Sequence, residues 1–172
     1  MKLFTPSVLK SFKTLYILQL RHLLSIENQI VLALPSMTEH ASSLELKQTL
    51  QFHLRETEVH VTRLNEIIDQ AKDIEAFTEK DAIITALVAS AENIVKESEE
   101  GPVRDAGLLA TAQKVEHYEI ASYGAARDWA KLLGLTHHAE LLQKTLNEEK
   151  RADDFLGAIS QSAINSAPPV GS

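Results

Sequence analysis

Residues 105–124, with the sequence DAGLLATAQKVEHYEIASYG, form a stretch in which acidic side chains interrupt an apolar helix face. Leu109 and Tyr123 belong to a set of apolar or small residues that recur at helical spacing. Glu116 and Glu119 fall on the same face, between them. Because a carboxylate on a buried apolar face is costly unless it is paired or binds a metal, the stretch predicts a helical bundle with a polar cluster in its core.

Three other long segments repeat this pattern, each with an apolar seam that is broken near its middle. The interrupting residues are Glu27 in the first segment, His53, Glu56 and His60 in the second, and Glu149 and Asp153 in the last. So many carboxylates in one core would repel each other strongly without cations. The pattern therefore predicts a site for two metal ions, held by carboxylates, inside a four-helix bundle.

Counting along the helices places four central glutamates at the same depth. Glu27 and Glu56 lie 13 residues from the turn between the first two long helices, if the first continues to His40. Glu119 and Glu149 lie 14 and 13 residues from the turn between the last two. At about 1.5 Å per residue, each lies roughly 20 Å from its turn, near the middle of the bundle.

Helix boundaries follow from caps and breakers. We expect long helices at about 6–40, 45–71, 103–133 and 136–160, with a short one at about 79–97. Pro35 either ends the first helix or only kinks it. Ser42 with Glu45 and, before the short helix, Thr78 are the expected N-terminal caps. Gly134 is the expected C-terminal cap of the third long helix.

The connections between the long helices indicate the topology. The second and third long helices are joined by about thirty residues, whereas the other two connections are short. This order describes an all-α, ferritin-like four-helix bundle whose long crossover contains the short fifth helix. Residues 1–161 form this domain, and residues 162–172, rich in Ser, Pro and Gly, are expected to be a disordered tail.

Composition narrows the class of protein. The 172 residues carry a net charge of −7 without a basic patch, which argues against nucleic acid as a partner. No stretch approaches the roughly 20 apolar residues that span a bilayer, and residues 1–12 lack the apolar core of a signal peptide. We therefore expect a cytoplasmic protein without membrane contacts. The absence of cysteine excludes iron–sulfur clusters and makes any redox cycle depend on an external reductant.

Three motifs together resemble the YciF-like branch of the ferritin-like superfamily: residues 105–124, HLRET at 53–57 and LNEEKRAD at 146–153. The resemblance covers roughly residues 8–160. It implies a bundle that is often a dimer, a rubrerythrin-like dinuclear metal site and a bacterial stress-response context. The carboxylate ligands that it implies are Glu27, Glu56, Glu116, Glu119, Glu149 and Asp153.

The histidine ligand stays open between His53 and His60. The usual di-iron pattern has Glu-x-x-His on two helices. This chain instead has Glu-x-x-x-His beginning at Glu56 and Glu-x-x-x-Asp beginning at Glu149. The family commonly has Gln where His60 stands, which favours His53 or a water molecule as the ligand.

Three hypotheses of function are compatible with these residues, and the sequence does not decide whether the protein is an enzyme. Carboxylate and imidazole donors suit iron first, with manganese or zinc as alternatives. Two ions bridged by Glu56 and Glu149 would support peroxide reduction, dioxygen activation or ferrous oxidation. The alternative is a non-catalytic bundle in which a structural metal site or polar cluster fixes the packing and the outer faces bind a partner or a second copy. Storage of iron in a cage is a third hypothesis.

Two further features are assigned to structure rather than chemistry. Tyr123 is expected to be a core residue with a satisfied hydroxyl, although it lies one turn from Glu119. His137 and His138 resemble a metal-binding pair, but they fall at the start of the last helix and are expected on the surface.

Overall fold

The computed structural model describes residues 11–70 and 80–166, with side chains to residue 162, and this part of the chain contains helices and no strands. The five helices are α1 (Phe12–His40), α2 (Leu44–Gln70), α3 (Ala82–Glu97), α4 (Pro102–Leu132) and α5 (Thr136–Ser166). The predicted all-α class, the four long helices and the short fifth helix in the crossover are confirmed.

α1 runs through Pro35 without ending. Its N-terminus is capped by Ser11, whose hydroxyl accepts a hydrogen bond from the backbone N–H of Thr14 at 3.1 Å. Pro35 is exposed, so the carbonyl that loses its helical partner lies on the side facing solvent. The helix begins at Phe12, after an extended Ser11, so it starts later than predicted; the predicted first residue, 6, lies outside the described residues.

A carboxylate from α4 caps the turn between α1 and α2. The backbone N–H groups of Ser42 and Ser43 each donate to Asp105 at 2.7 Å. The hydroxyl of Ser43 accepts from the N–H of Leu46 at 3.4 Å, so Ser43 rather than Ser42 is the side-chain cap. Asp105, at the start of α4, therefore fixes the α1–α2 turn against the other half of the bundle.

The start of α3 is fixed to the bundle through Asp81. This carboxylate caps α3 by accepting from the N–H groups of Ile83 and Ile84 at 3.0 and 2.9 Å. Its other oxygen accepts from the Tyr118 hydroxyl at 2.9 Å, and its backbone N–H donates to Ser25 at 2.9 Å. Contacts with both α1 and α4 hold the crossover against the bundle, while the predicted cap Thr78 lies outside the described residues.

Side-chain contacts between helices show the antiparallel packing. Glu27 of α1 meets Tyr123 of α4, whereas Ser42, just after the end of α1, meets Asp105 near the start of α4. α2 and α5 run in opposite directions in the same way, because Glu56 meets Arg151 and Gln70 meets His138. These pairings confirm the ferritin-like order, in which each hairpin packs against the other along its whole length.

The C-terminal half matches the predicted boundaries with one exception. Gly134 follows α4 with φ of +71°, a left-handed conformation that favours glycine and closes the helix. α5 continues to Ser166, so the predicted start of a disordered tail at residue 162 is wrong. Residues 167–172 lie outside the described residues.

His138 corrects a second prediction. Its ring is buried, with Nδ1 at 3.2 Å from the Tyr16 hydroxyl and Nε2 at 3.3 Å from Gln70. His137 is exposed as predicted and contacts Glu66. One turn of α5 therefore directs one histidine to solvent and the next into the end of the bundle.

The bundle core is apolar at both ends and polar in its middle. Leu20, Leu64, Ala126 and Leu142 are buried towards one end, and Leu34, Leu46, Leu109 and Leu156 towards the other. Between them lie buried glutamates and histidines from α1, α2, α4 and α5. Each buried ion costs several kcal/mol in lost hydration, so the apolar layers must hold the polar layer in place.

Candidate metal centre

Helix phase directs six polar side chains into one layer. They are Glu27 of α1, His53 and His60 of α2, Glu116 and Glu119 of α4, and Glu149 of α5, and all are buried. On each helix they occupy positions that continue the apolar face, and pairs three residues apart share one side of a helix. The long helices thus converge on a layer of acids and imidazoles.

The first group of donor atoms comes from α2, α4 and α5. One nitrogen or oxygen atom from each of His53, Glu116, Glu119 and Glu149 lies within 4.8 Å of the others. His53 Nε2 and Glu116 Oε1 are 3.3 Å apart. Three carboxylates and one imidazole could therefore hold a metal ion at this point.

The second group shares Glu149 with the first. Atoms of Glu27, His60 and Glu149 also lie within 4.8 Å of one another. His60 Nδ1 is 2.8 Å from Glu149 Oε1 and 3.5 Å from Glu27 Oε1. The sequence left His53 and His60 as alternative ligands, and in the structure each group contains one of the two histidines.

Many donor atoms in this layer lack a hydrogen-bond partner among the described residues. They are one oxygen each of Glu27, Glu116 and Asp153, both oxygens of Glu119 and Glu149, both ring nitrogens of His53, and Nδ1 of His60. Nδ1 of His60 lies close to Glu149, but not in the direction of a hydrogen bond. Buried polar atoms nearly always have partners in native structures, so a donor set of this kind fits bound cations.

Burial and mutual repulsion shift the pKa values in the layer. Burial first, and then the charge of Glu149, raise the pKa of both Glu116 and Glu119 well above the usual range. Burial lowers the pKa of His53. Burial disfavours the charged form of the His60 ring, but the nearby carboxylates of Glu149 and Glu27 outweigh this effect and raise the pKa of His60 to about 10. A metal ion would replace protons on the two glutamates, so uptake near neutral pH would release protons.

A second carboxylate on α5 orients the His60 ring. Glu148 accepts from His60 Nε2 at 3.0 Å and pairs with Arg63, whose Nη2 lies 3.1 Å from Glu148 Oε1. Because Nε2 faces Glu148, Nδ1 faces Glu149 and the candidate centre. Sequence reasoning missed Glu148 and Arg63. The available signal was the spacing of His60 and Arg63, one turn apart on α2.

Tyr123 of α4 contacts the polar layer through Glu27 of α1. Its buried hydroxyl donates to Glu27. Burial, and then the charge of Glu27, raise the pKa of Tyr123 well above its ordinary value, so the hydroxyl keeps its proton. The expectation of a core tyrosine with a satisfied hydroxyl is correct, and the partner is one of the candidate ligands.

Glu56, which was predicted to bridge the ions, is not in either group. Thr57 occupies the inward position on α2, and Glu56 is half-buried at the flank, where it accepts a hydrogen bond from Arg151. Burial raises the pKa of Glu56, while Arg151 opposes the shift. The prediction that Glu56 faces inward is wrong, because α2 continues its alternation of three- and four-residue steps through Thr57.

Asp153 also lies outside the two groups. Its Oδ1 is 3.6 Å from Nε2 of the exposed His117, and the same oxygen has no hydrogen-bond partner. The charge of Asp153 contributes to the raised pKa of Glu116, which places it at the edge of the polar layer. Of the eight predicted ligands, the structure brings together all but Glu56 and Asp153.

Sequence comparison relates the chain to known proteins. The family described as "Domain of unknown function (DUF892)" matches residues 11–167. The chain is 34% identical over 157 residues to Protein YciF of Escherichia coli (strain K12), a match that covers 91% of this chain and 95% of that protein.

Solved structures share the fold over nearly the whole chain. The crystal structure of the E. coli stress protein YciF gives a TM-score of 0.88 at 33% identity, covering 92% of this chain and all of that one (100%). YcfI of Rhodopseudomonas palustris, for which a structural role has been suggested, gives 0.83 at 34% identity and covers 90% and 98%. A protein from Xanthomonas campestris gives 0.71 at 15% identity, covers 91% and 95%, and supports the fold alone.

Within residues 11–70 and 80–166, no helix is both long enough and apolar enough to cross a membrane.

Proposed function

The chain belongs to the DUF892 family, and we propose that it is a stress-related protein with a carboxylate-bridged pair of metal ions, iron first and manganese or zinc as alternatives. The proposed chemistry is the reduction of dioxygen or peroxide coupled to ferrous oxidation. The stress context comes from the description of the E. coli relative. We expect the protein to act in the cytoplasm as a homodimer.

One observation carries the proposal: two groups of buried donor atoms share Glu149. His53, Glu116 and Glu119 would complete one ion's ligands, and Glu27 and His60 the other's. Carboxylate and imidazole donors without thiolates favour iron or manganese over softer metals. When bound, a ferrous pair supplies two electrons that reduce dioxygen to hydrogen peroxide, or hydrogen peroxide to two water molecules, with two protons taken up in either case.

The chain's own residues prepare the site for this chemistry. Tyr123 donates to Glu27 and so fixes which carboxylate oxygen remains available. Arg63 and Glu148 fix the ring of His60. Burial excludes bulk water from the layer, which strengthens every charge interaction within it. Since the sequence contains no cysteine, electrons for repeated turnover must come from an external reductant.

Elemental analysis tests the proposal most directly. Untagged protein would be analysed as purified and after anaerobic loading with ferrous iron, followed by exposure to dioxygen or peroxide. We expect about two ions per chain, the number that a dinuclear site holds, and iron oxidation faster than in protein-free buffer. Glu149→Gln, which alters the shared ligand, should lose both ions. Absence of bound metal, or oxidation no faster than in buffer, would contradict the proposal.

A non-catalytic role is the second candidate, and the suggested structural role of the R. palustris relative favours it. In that case the polar layer would specify helix packing at some cost in stability, and the outer faces would bind a partner. The Glu149→Gln variant separates the two functions. If it loses metal but keeps its fold and the cellular phenotype of the wild type, the structural role is supported.

A further inference from the structure

A narrow apolar cavity reaches the candidate ligands from one side. It has a volume of about 20 Å³ and is lined by residues of α1, α2, α3 and α4, including His53 and Glu116. Apart from these two, its lining is formed by aliphatic side chains and by Thr111. The Thr111 hydroxyl donates to the carbonyl of Gly107 at 3.0 Å, so its proton is not directed into the cavity.

A wider groove lies on the outer side of this cavity. It is formed between α1 and α3, has a volume of about 610 Å³, and is open to solvent beside Leu32, which is 79% exposed. Four residues line both the groove and the cavity: Ala33, Met37, Val88 and Ala91. These side chains therefore form the wall that separates the solvent-accessible groove from the cavity at the candidate centre.

The wall is made of small or adaptable side chains. Ala33 and Ala91 contribute only a methyl group each, from facing helices. Met37 has an unbranched side chain with three rotatable bonds, which can change rotamer more easily than a branched one. A rotamer change at Met37, beside the small Ala33 and Ala91, would therefore thin the wall between the groove and the cavity.

The size and lining of the cavity select what can pass. About 20 Å³ is room for roughly one water-sized molecule. A hydrated ion would lose its water shell without replacement along aliphatic walls, which is strongly unfavourable. A small apolar molecule has no such shell to lose, and apolar cavities in proteins bind such molecules. At the inner end, both nitrogens of the buried His53 ring are without a hydrogen-bond partner.

We infer that the α1–α3 groove and the cavity behind it form the route by which dioxygen, a small uncharged apolar molecule, reaches the candidate metal centre. Ala91 and Met37 set the width of this route. The inference rests on the proposed function, because it names the oxidant of that site. It also implies that metal ions enter elsewhere, since they cannot cross the aliphatic wall with their water shells.

Dioxygen itself is the probe for the first test, which uses metal-free protein and no activity. Dissolved dioxygen is paramagnetic and speeds the relaxation of nearby nuclei, so methyl relaxation would be compared by NMR under dioxygen and under nitrogen. We expect a larger effect at the methyl groups of Ile30 and Leu50, which line the cavity but not the groove, than at Ala130, which is fully buried in α4 away from both. An effect at Ile30 and Leu50 no larger than at Ala130 would overturn the inference.

The second test measures dioxygen-dependent iron oxidation in protein loaded with ferrous iron. Ala91→Leu fills the wall and should slow oxidation about tenfold, equivalent to about 1.4 kcal/mol in the barrier, with unchanged metal content. Val88→Ala should instead speed it. Ala139→Leu is the matched control, because Ala139 is 5% exposed, against 4% for Ala91, and lies outside the groove and the cavity; it should keep the wild-type rate.

The outcomes separate this inference from the proposed function. Failure of every variant and of the wild type to bind metal would contradict the proposed function, while the relaxation experiment would still decide whether dioxygen enters the cavity. Full metal binding and fast oxidation with no effect of Ala91→Leu would overturn the route alone. If Ala91→Leu does not fold, the acceleration expected for Val88→Ala provides the test, and an unchanged rate in that variant counts against the route.

Discussion

The two helical hairpins of the bundle carry similar polar residues but present them differently to the core. In the α4–α5 hairpin, Glu119 and Glu149 both face inward and belong to the same donor group. In the α1–α2 hairpin, Glu27 faces inward, but Glu56 lies at the flank beside Arg151. The internal symmetry that residue types suggest is therefore broken at α2, where histidines take the inward positions.

The phase of α2 explains the difference. Each residue turns a helix by about 100°, so a three-residue step falls roughly 60° short of a full turn. Going from Leu50 to His53 and on to Glu56 would take two such steps in succession and rotate the face away from the core. A four-residue step to Thr57 restores the alternation, and Thr57 is fully buried. Two carboxylates at the same depth of the bundle can thus have different contacts.

The largest expected effect tests this difference between Glu149 and Glu56. Glu149→Gln should abolish binding of both ions, because this residue belongs to both donor groups. Glu56→Gln is the matched control and should retain both ions, since its carboxylate contacts Arg151 rather than either group. Metal content after anaerobic ferrous loading distinguishes them. Equal loss of metal from both variants would show that Glu56 leaves Arg151 to bind metal, and would restore the symmetry of the two hairpins.

The sequence predicted the bundle well because apolar residues recur at helical spacing along each long segment. Alternating steps of three and four residues, with Gly134 at a helix end and a long crossover, determine helix number, order and depth. The depth of the polar layer follows from counting along the helices. Even Pro35, whose effect was left open, changes none of these features.

The features that the sequence did not predict depend on small rotations of a helix about its axis and on neighbouring residues across the bundle. Glu56 and Thr57 differ by one position, and because neither is apolar, only the regular alternation of steps along α2 distinguishes the inward residue from its neighbour. The role of Glu148 requires knowing that α5 lies beside His60 and Arg63 of α2. The burial of His138 likewise depends on Tyr16, which lies 122 residues away in sequence.

The next effect in size concerns Glu148 of α5, which pairs with Arg63 of α2. Glu148 holds both Arg63 and the ring of His60, so Glu148→Gln should weaken metal binding about 10–100-fold, as is typical when a residue that orients a ligand is changed. Competition with a chelator measures this affinity. Unchanged affinity would mean that the His60 ring keeps its orientation without Glu148, or that His60 does not bind metal.

The stability of metal-free protein should depend on pH through the acids of α4 and the histidines of α2. The folded pKa values of Glu116 and Glu119 are raised above the usual 4.5, so the folded state binds more protons than the unfolded state. Stability from this source is fully present below pH 4.5 and is lost as pH rises towards the folded pKa values. His60, raised from 6.5 to about 10, acts in the same direction between those values, whereas His53, with a lowered pKa, acts in the opposite direction below 6.5.

We therefore expect the free energy of unfolding of metal-free protein to fall as pH rises above 4.5, as measured by denaturant unfolding in the presence of a chelator. The variant with both Glu116→Gln and Glu119→Gln should show a shallower fall, because its amides do not titrate. A wild-type stability that instead rises across this range would show that the two acids are ionised in the folded protein.

The smallest expected effect lies at the flank of the bundle. The Arg151 side chain is 48% exposed and its partner Glu56 is 16% exposed, and ion pairs near the surface contribute only about 0–1 kcal/mol. Arg151→Ala should therefore lower the free energy of unfolding by no more than about 1 kcal/mol and leave metal content unchanged. Denaturant unfolding measures the first effect and elemental analysis the second. A gain of metal affinity in Arg151→Ala would be informative, because it would mean that Arg151 competes with a metal ion for Glu56 and that the asymmetry between the hairpins is set by this one arginine.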